Sequence, residues 1–182
     1  SAFGEQMDSL ADMVSFGAAP ALIGYIWALR DLGRWGWVPA FVYIAGAALR
    51  LARFNSQVGQ VDKRWFIGLA SPAAAGLMAS FVWTAHDFGW NGRDLRHVAL
   101  GVTIAAGLLM VSRIRYSSFK GSGSGPKADR VPFFVLVVAL AILIALWIAP
   151  ALTLLAASTL YALSGPLLWL RRRHPPGQDA SA

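Results

Sequence analysis

The sequence predicts an all-α fold, a polytopic integral membrane protein with six transmembrane helices. Three observations carry that prediction. Of the 182 residues, 57% are hydrophobic and only 14% are charged, where soluble domains carry about 25% charged residues; the mean hydropathy is +0.54. The apolar residues gather into six runs, each approaching the ~20 residues that cross a hydrocarbon core. Lysine and arginine alternate from one connecting segment to the next. Lipid offers no partner to an unpaired backbone group, so every run must be helical.

The first run, Leu10 to Leu29, is entered from an acidic stretch and left at Arg30, Asp31 and Arg34. A short loop leads into the second, Trp37 to Ala52, which makes the two antiparallel neighbours. Arg50, Arg53, Lys63 and Arg64 cluster at and beyond its end. The third run, Phe66 to Ala85, and the fourth, Leu95 to Val111, are joined by a loop whose Arg93 and Arg96 are partly offset by Asp87 and Asp94. Arg113, Arg115, Lys120, Lys127 and Arg130 separate the fourth run from the fifth, Val131 to Ile148; Arg171, Arg172 and Arg173 follow the sixth, Ala151 to Leu170. Most of the 16 basic residues therefore fall on one side, the cytoplasmic side by the positive-inside rule, together with both ends of the chain. Trp35, Trp37, Trp65, Trp90, Trp169 and Tyr116 lie near run ends, where an aromatic interface belt places anchors. Gly121 to Pro126, GSGSGP, reads as a flexible cytoplasmic linker, and 175–182 as a disordered cytoplasmic tail.

A formal net charge of +7 is spent on topology and headgroup contacts, so no nucleic-acid partner is expected. Cysteine is absent, which excludes disulfides, thiolate catalysis and cysteine-based zinc sites. His86 and His97 fall in an outer loop and His174 in the tail, and the three form no cluster. The chain opens on its acidic stripe without an initiating Met and is expected to be the carboxy-terminal part of something longer.

That stripe, Gly4, Asp8 and Asp12, has the spacing GxxxDxxxD. Residues four apart share a helix face, so two carboxylates stand one turn apart with a side-chain-free patch one turn before them. Like charges at that spacing repel, and acids entering an apolar helix are functional by default. Carboxylate oxygens suit a hard divalent cation, Mg2+ or Mn2+, and Gly4 lets a bulky ligand approach the backbone. The plain alternative is a pair of solvated acids ahead of a span. The charge alternation sets Arg50, Arg53 and the Asn55 amide at the same depth as these acids. Each arginine alone reads as a snorkelling anchor. Together with a metal they are the usual groups for holding phosphates through a displacement.

At these residues the chain resembles the CDP-alcohol phosphotransferase family. Phe3 to Pro20, FGEQMDSLADMVSFGAAP, resembles the second half of the signature DxxDGxxAR, spacer, GxxxDxxxD. ALRLARFN (Ala48 to Asn55), FIGLASPAAAG (Phe66 to Gly76) and RYSSFK (Arg115 to Lys120) resemble its phosphatidylserine synthase branch. The DxxDGxxAR half is not in this chain, so two of the four acids that hold the metals in such enzymes lie outside it, and the chain by itself is expected to be inactive. Ala70 stands where the branch usually has proline.

The resemblance implies a CDP-alcohol phosphotransferase-like bundle, with 1–174 as its transmembrane catalytic domain. It implies transfer of a phosphatidyl group from CDP-diacylglycerol to the hydroxyl of L-serine, giving phosphatidylserine and CMP. Asp8 would be a metal ligand, and Asp12 a metal ligand and the catalytic base. Gly4 would make room for the nucleotide, with Arg50, Arg53 and Asn55 binding substrate. The expected setting is the inner (cytoplasmic) membrane, among membrane lipids, as a homodimer with its site facing the cytoplasm. A sister activity on glycerol 3-phosphate or inositol phosphate stays open, as does a membrane carrier or scaffold. A carrier would show broken helices and polar groups at mid-membrane, whereas the charges here sit at the ends.

Overall fold

A computed structural model describes residues 1–56, 65–117 and 133–173. Lys63, Arg64, Lys120, the GSGSGP stretch, Lys127, Arg130, His174 and the tail 175–182 lie outside the described residues.

Helix starts at Ala2. The Ser1 hydroxyl accepts from the Gly4 backbone N–H at 3.3 Å and caps α1, Ala2–Asp12. The rod continues through a wide π-type stretch, Met13–Ala18, into α2, Ala19–Gly24, and a second wide stretch, Tyr25–Leu29. Pro20 accounts for part of this: having no N–H, it cannot bond the Phe16 carbonyl four residues back. The Tyr43 hydroxyl donates to that carbonyl instead, at 3.2 Å. The rod breaks at Gly33, whose φ of 59° is open to glycine at no steric cost. The chain then returns as α3, Trp37–Ser56, antiparallel to the first rod as its short loop predicts.

The third expected run starts late. Trp65–Ile67 forms a strand, β1, paired antiparallel with β2, Arg115–Ser117, with Phe66 opposite Tyr116. Gly68 then turns at φ 81°, so α4 spans Ser71–Asp87. The Gly68 N–H donates to the Ile114 carbonyl at 2.8 Å and that of Leu69 to the Leu109 carbonyl at 3.0 Å, and the positive φ of Gly68 excludes a helix running on from Phe66. Next come α5, Arg96–Val111, then α6, Phe133–Ile148, and α7, Pro150–Arg173.

The core is built on small residues, which let backbones approach closely where lipid gives no hydrophobic drive. At the crossing of α3 and α5, a Cβ on Gly46 would stand 2.5 Å from the Gly107 carbonyl oxygen, and one on Gly107 would stand 2.9 Å from that of Val42. Tyr43, Ala47, Met78, Ala106 and Met110 fill the space around this contact. Between α4 and α7, the Ser80 and Ser158 hydroxyls lie 3.4 Å apart, each also donating to the carbonyl four residues back. By contrast α6 buries none of its residues; Trp147 is 90% exposed.

Among the described residues two helical stretches are long and apolar enough to cross a membrane, Phe3–Ser56, which includes the turn at Gly33, and Pro150–Leu170. Arg96–Val111 and Phe133–Ile148 are apolar but shorter; at 1.5 Å per residue, 16 residues reach about 24 Å of a core of about 30 Å.

Tyr116 departs from the belt. It is completely buried, and burial pushes its phenol up to about 12, so it stays protonated as a donor. Trp35, Trp37, Trp90 and Trp169 are exposed as the anchor reading requires.

Candidate active site

The first rod and α3 bring the singled-out residues to one end of the bundle. Ser9 lies one residue beyond Asp8, and its hydroxyl accepts from the Asn55 amide nitrogen at 3.1 Å, locking the start of the first rod to the end of α3. Asp8 is exposed and Asp12 half-buried on the same helix face. The negative charge of Asp12 acts on the guanidinium of Arg50. Among the described residues outside the helix's own backbone, the only atom that a Cβ on Gly4 would approach within 4 Å is the Ser1 hydroxyl oxygen, at 3.6 Å.

The two arginines, one turn apart, are used differently. Arg53 donates from Nη1 to the Val111 carbonyl at 3.2 Å, a cation on the last turn of α5, where the helix dipole favours it. Arg50 donates from Nη1 to the Ser71 hydroxyl at 2.7 Å. Ser71 is the first residue of α4, whose cap is Ala70 with no side-chain bond, so Arg50 stands at the positive end of a helix. Its Nε is buried and has no hydrogen-bond partner among the described residues. A buried donor left unmade costs roughly 1–3 kcal/mol, and here helix and guanidinium together call for an anion. Tyr161 on α7 also acts on Arg50 electrostatically.

Sequence reading brought Asp8, Asp12, Arg50, Arg53 and Asn55 to one depth, with Gly4 one turn before the acids on their stripe, and the fold places them at one end. It did not find Ser71 or Tyr161. Ser-Pro at 71 and 72 is a helix-start signal that could have exposed Ser71. The opposite end carries the exposed ion pair of Arg93 Nε and Asp31 Oδ2 at 2.9 Å, which ties its two loops together.

For a metal, the donor chemistry fits. Asp8 and Asp12 offer hard oxygens one turn apart. Among the described residues no group of three or more His, Cys, Asp or Glu side chains gathers to close a coordination shell.

The sequence model of the CDP-alcohol phosphatidyltransferases matches residues 1–112, from the stripe through α5. This chain belongs to that family. A CDP-diacylglycerol–serine O-phosphatidyltransferase of Helicobacter pylori strain J99 is 35% identical over 170 residues, covering 93% of this chain and 69% of the relative. One of Methanocaldococcus jannaschii is 30% identical over 169 residues, covering 93% and 71%. An archaetidylserine synthase of Methanothermobacter thermautotrophicus is 35% identical over 122 residues, covering 67% and 48%. The family match contains all six singled-out residues and also Ser71; Tyr116, Tyr161 and the helices α6 and α7 lie beyond it.

Proposed function

We propose that this CDP-alcohol phosphatidyltransferase transfers the phosphatidyl group of CDP-diacylglycerol to the hydroxyl of L-serine, releasing CMP. The serine acceptor is supported by the names of relatives that match 93% of the chain. The observation that carries the chemistry is the action of Asp12, one turn from Asp8, on Arg50, whose buried Nε has no partner among the described residues, at one end of the bundle.

A divalent cation bound by Asp8 and Asp12, Mg2+ or Mn2+, would supply charge neutralisation for the pyrophosphate. Asp12 is the base: it accepts the serine hydroxyl proton as that oxygen bonds to the phosphatidyl phosphorus. The bond from phosphorus to the CMP oxygen breaks, and its electron pair leaves with CMP. Gly4 gives the nucleotide a bare helix face. Arg50 takes anionic oxygens, of phosphate or of the serine carboxylate, on its free edge. Arg53 and Asn55 bind substrate beside it while holding α5 and α1 in place.

In this reading six helices cross the inner (cytoplasmic) membrane, the enzyme is a homodimer, and the site faces the cytoplasm. CDP-diacylglycerol then keeps its acyl chains in lipid while serine and CMP exchange with water. The test is CMP release by the full-length protein supplied with CDP-diacylglycerol and either serine, glycerol 3-phosphate or inositol phosphate. Release with serine alone is expected; release with another acceptor in preference to serine overturns the assignment.

A further inference from the structure

Two buried tyrosine hydroxyls in this protein end on helix carbonyls that a proline has deprived of their usual donor. Tyr43 and Phe16, four residues before Pro20, are one case. In the other, Pro166 inside α7 cannot bond the Ala162 carbonyl, and the Tyr116 hydroxyl donates to it at 3.0 Å. Gly165 makes the notch, since a Cβ there would collide with the Tyr116 ring. Tyr116 belongs to the segment after α5, so this contact joins the inner end of the first five helices to a helix outside the family match.

Tyr116 also stands where two routes to Arg50 meet. Through the ribbon it faces Phe66, and the backbone bonds of Gly68 and Leu69 lead to Ser71, which holds Arg50 Nη1. Through its ring it lies 5.4 Å from the ring of Tyr161, which acts on the Arg50 guanidinium. We propose that Tyr116 is a positioning residue: by locking the ribbon into the proline-freed notch of α7, it sets Arg50, from Ser71 on one side and Tyr161 on the other, toward the anionic oxygens of a substrate. The carboxy-terminal helix thereby becomes part of the substrate-binding apparatus. This rests on the reading of Arg50 as an anion ligand.

The experiment compares Arg50→Lys, Tyr116→Phe, Pro166→Ala and the Tyr116→Phe, Pro166→Ala double variant in the full-length protein. The readouts are kcat and separate KM values for serine and CDP-diacylglycerol. Arg50→Lys identifies the anion by the KM that it raises. Tyr116→Phe keeps its ring in the notch and is expected to raise that same KM about three- to fivefold, the factor one hydrogen bond is worth, leaving the other KM in place. Alanine at 166 restores an N–H for the Ala162 carbonyl, so the effect of Tyr116→Phe shrinks in that background. A Tyr116→Phe enzyme with lowered kcat and both KM values unchanged has lost only structure, and overturns the proposal. An equal effect in both backgrounds also overturns it. An Arg50→Lys enzyme with neither KM changed refutes the Arg50 reading itself, a separate result.

Discussion

The Asn55 amide nitrogen lies 3.1 Å from the Ser9 hydroxyl oxygen, and this bond, with that of the Tyr43 hydroxyl to the Phe16 carbonyl, joins the first two long helical segments where the acids and the arginines stand. Asp8 and Asp12 flank Ser9 on its own helix, while Arg53 and Arg50 precede Asn55 by two and five residues on the other. Loss of register here would separate charge from countercharge, which is why the consequences below centre on this end of the bundle.

Activity of the full-length protein should depend on Mg2+ or Mn2+, and Asp8→Asn should lose most of it while the protein still folds. Two like-charged acids one turn apart offer hard oxygens that suit a divalent cation. Turnover that persists through exhaustive chelation would refute this.

Asp8 and Asp12 should fail in different ways. Asparagine at 12 keeps an oxygen but cannot take the serine proton, so CDP-diacylglycerol binding should survive while single-turnover CMP release falls by about 10² to 10⁴. Raising the metal concentration should restore Asp8→Asn in part and leave Asp12→Asn unrescued. Equal rescue of both would give the two acids one shared ligand role.

Arg50→Lys should reduce substrate affinity about tenfold or more, because a charge-assisted, forked contact is lost. Arg53→Lys should cost less, since an ammonium can still reach the Val111 carbonyl at the end of α5. Steady-state KM values for the two variants test the ranking, and a larger effect at Arg53 reverses the assignment.

Gly46→Ala should destabilise the bundle by roughly 1–3 kcal/mol, as overpacking does, because the new Cβ meets the backbone of Gly107 rather than a side chain that can turn away. Gly101→Ala is the control, with nothing within 4 Å of its Cβ position and a gain in helix propensity. Thermal unfolding in detergent should separate the two; similar midpoints would mean that the α3 to α5 contact is looser than described.

Cysteines placed at Asn91 and at Arg113 should react with an impermeant reagent from opposite faces of the membrane. Both positions are exposed, and the chain has no cysteine of its own. Labelling of both from one face would overturn the six-span arrangement.

Sequence alone determined the helical class, the short turn that pairs the first rod with α3, the stripe of Gly4, Asp8 and Asp12, and the common depth of Arg50, Arg53 and Asn55. Each is a local or periodic property: apolar run length, fourfold spacing, and the side on which basic residues fall. Tertiary structure alone decided the rest. The strands Trp65–Ile67 and Arg115–Ser117 are too short to show a period, so the late start of α4 at Ser71, and with it the partner of Arg50, could not be read in advance. The glycine crossing at 46 and 107 depends on which helices meet, and a run of small residues does not name its partner. Pro20 and Pro166 show where the boundary lies. From sequence each proline identifies the carbonyl four residues back that loses its donor. Only folding, by carrying Tyr43 and Tyr116 across from other segments, determined which hydroxyl would replace it.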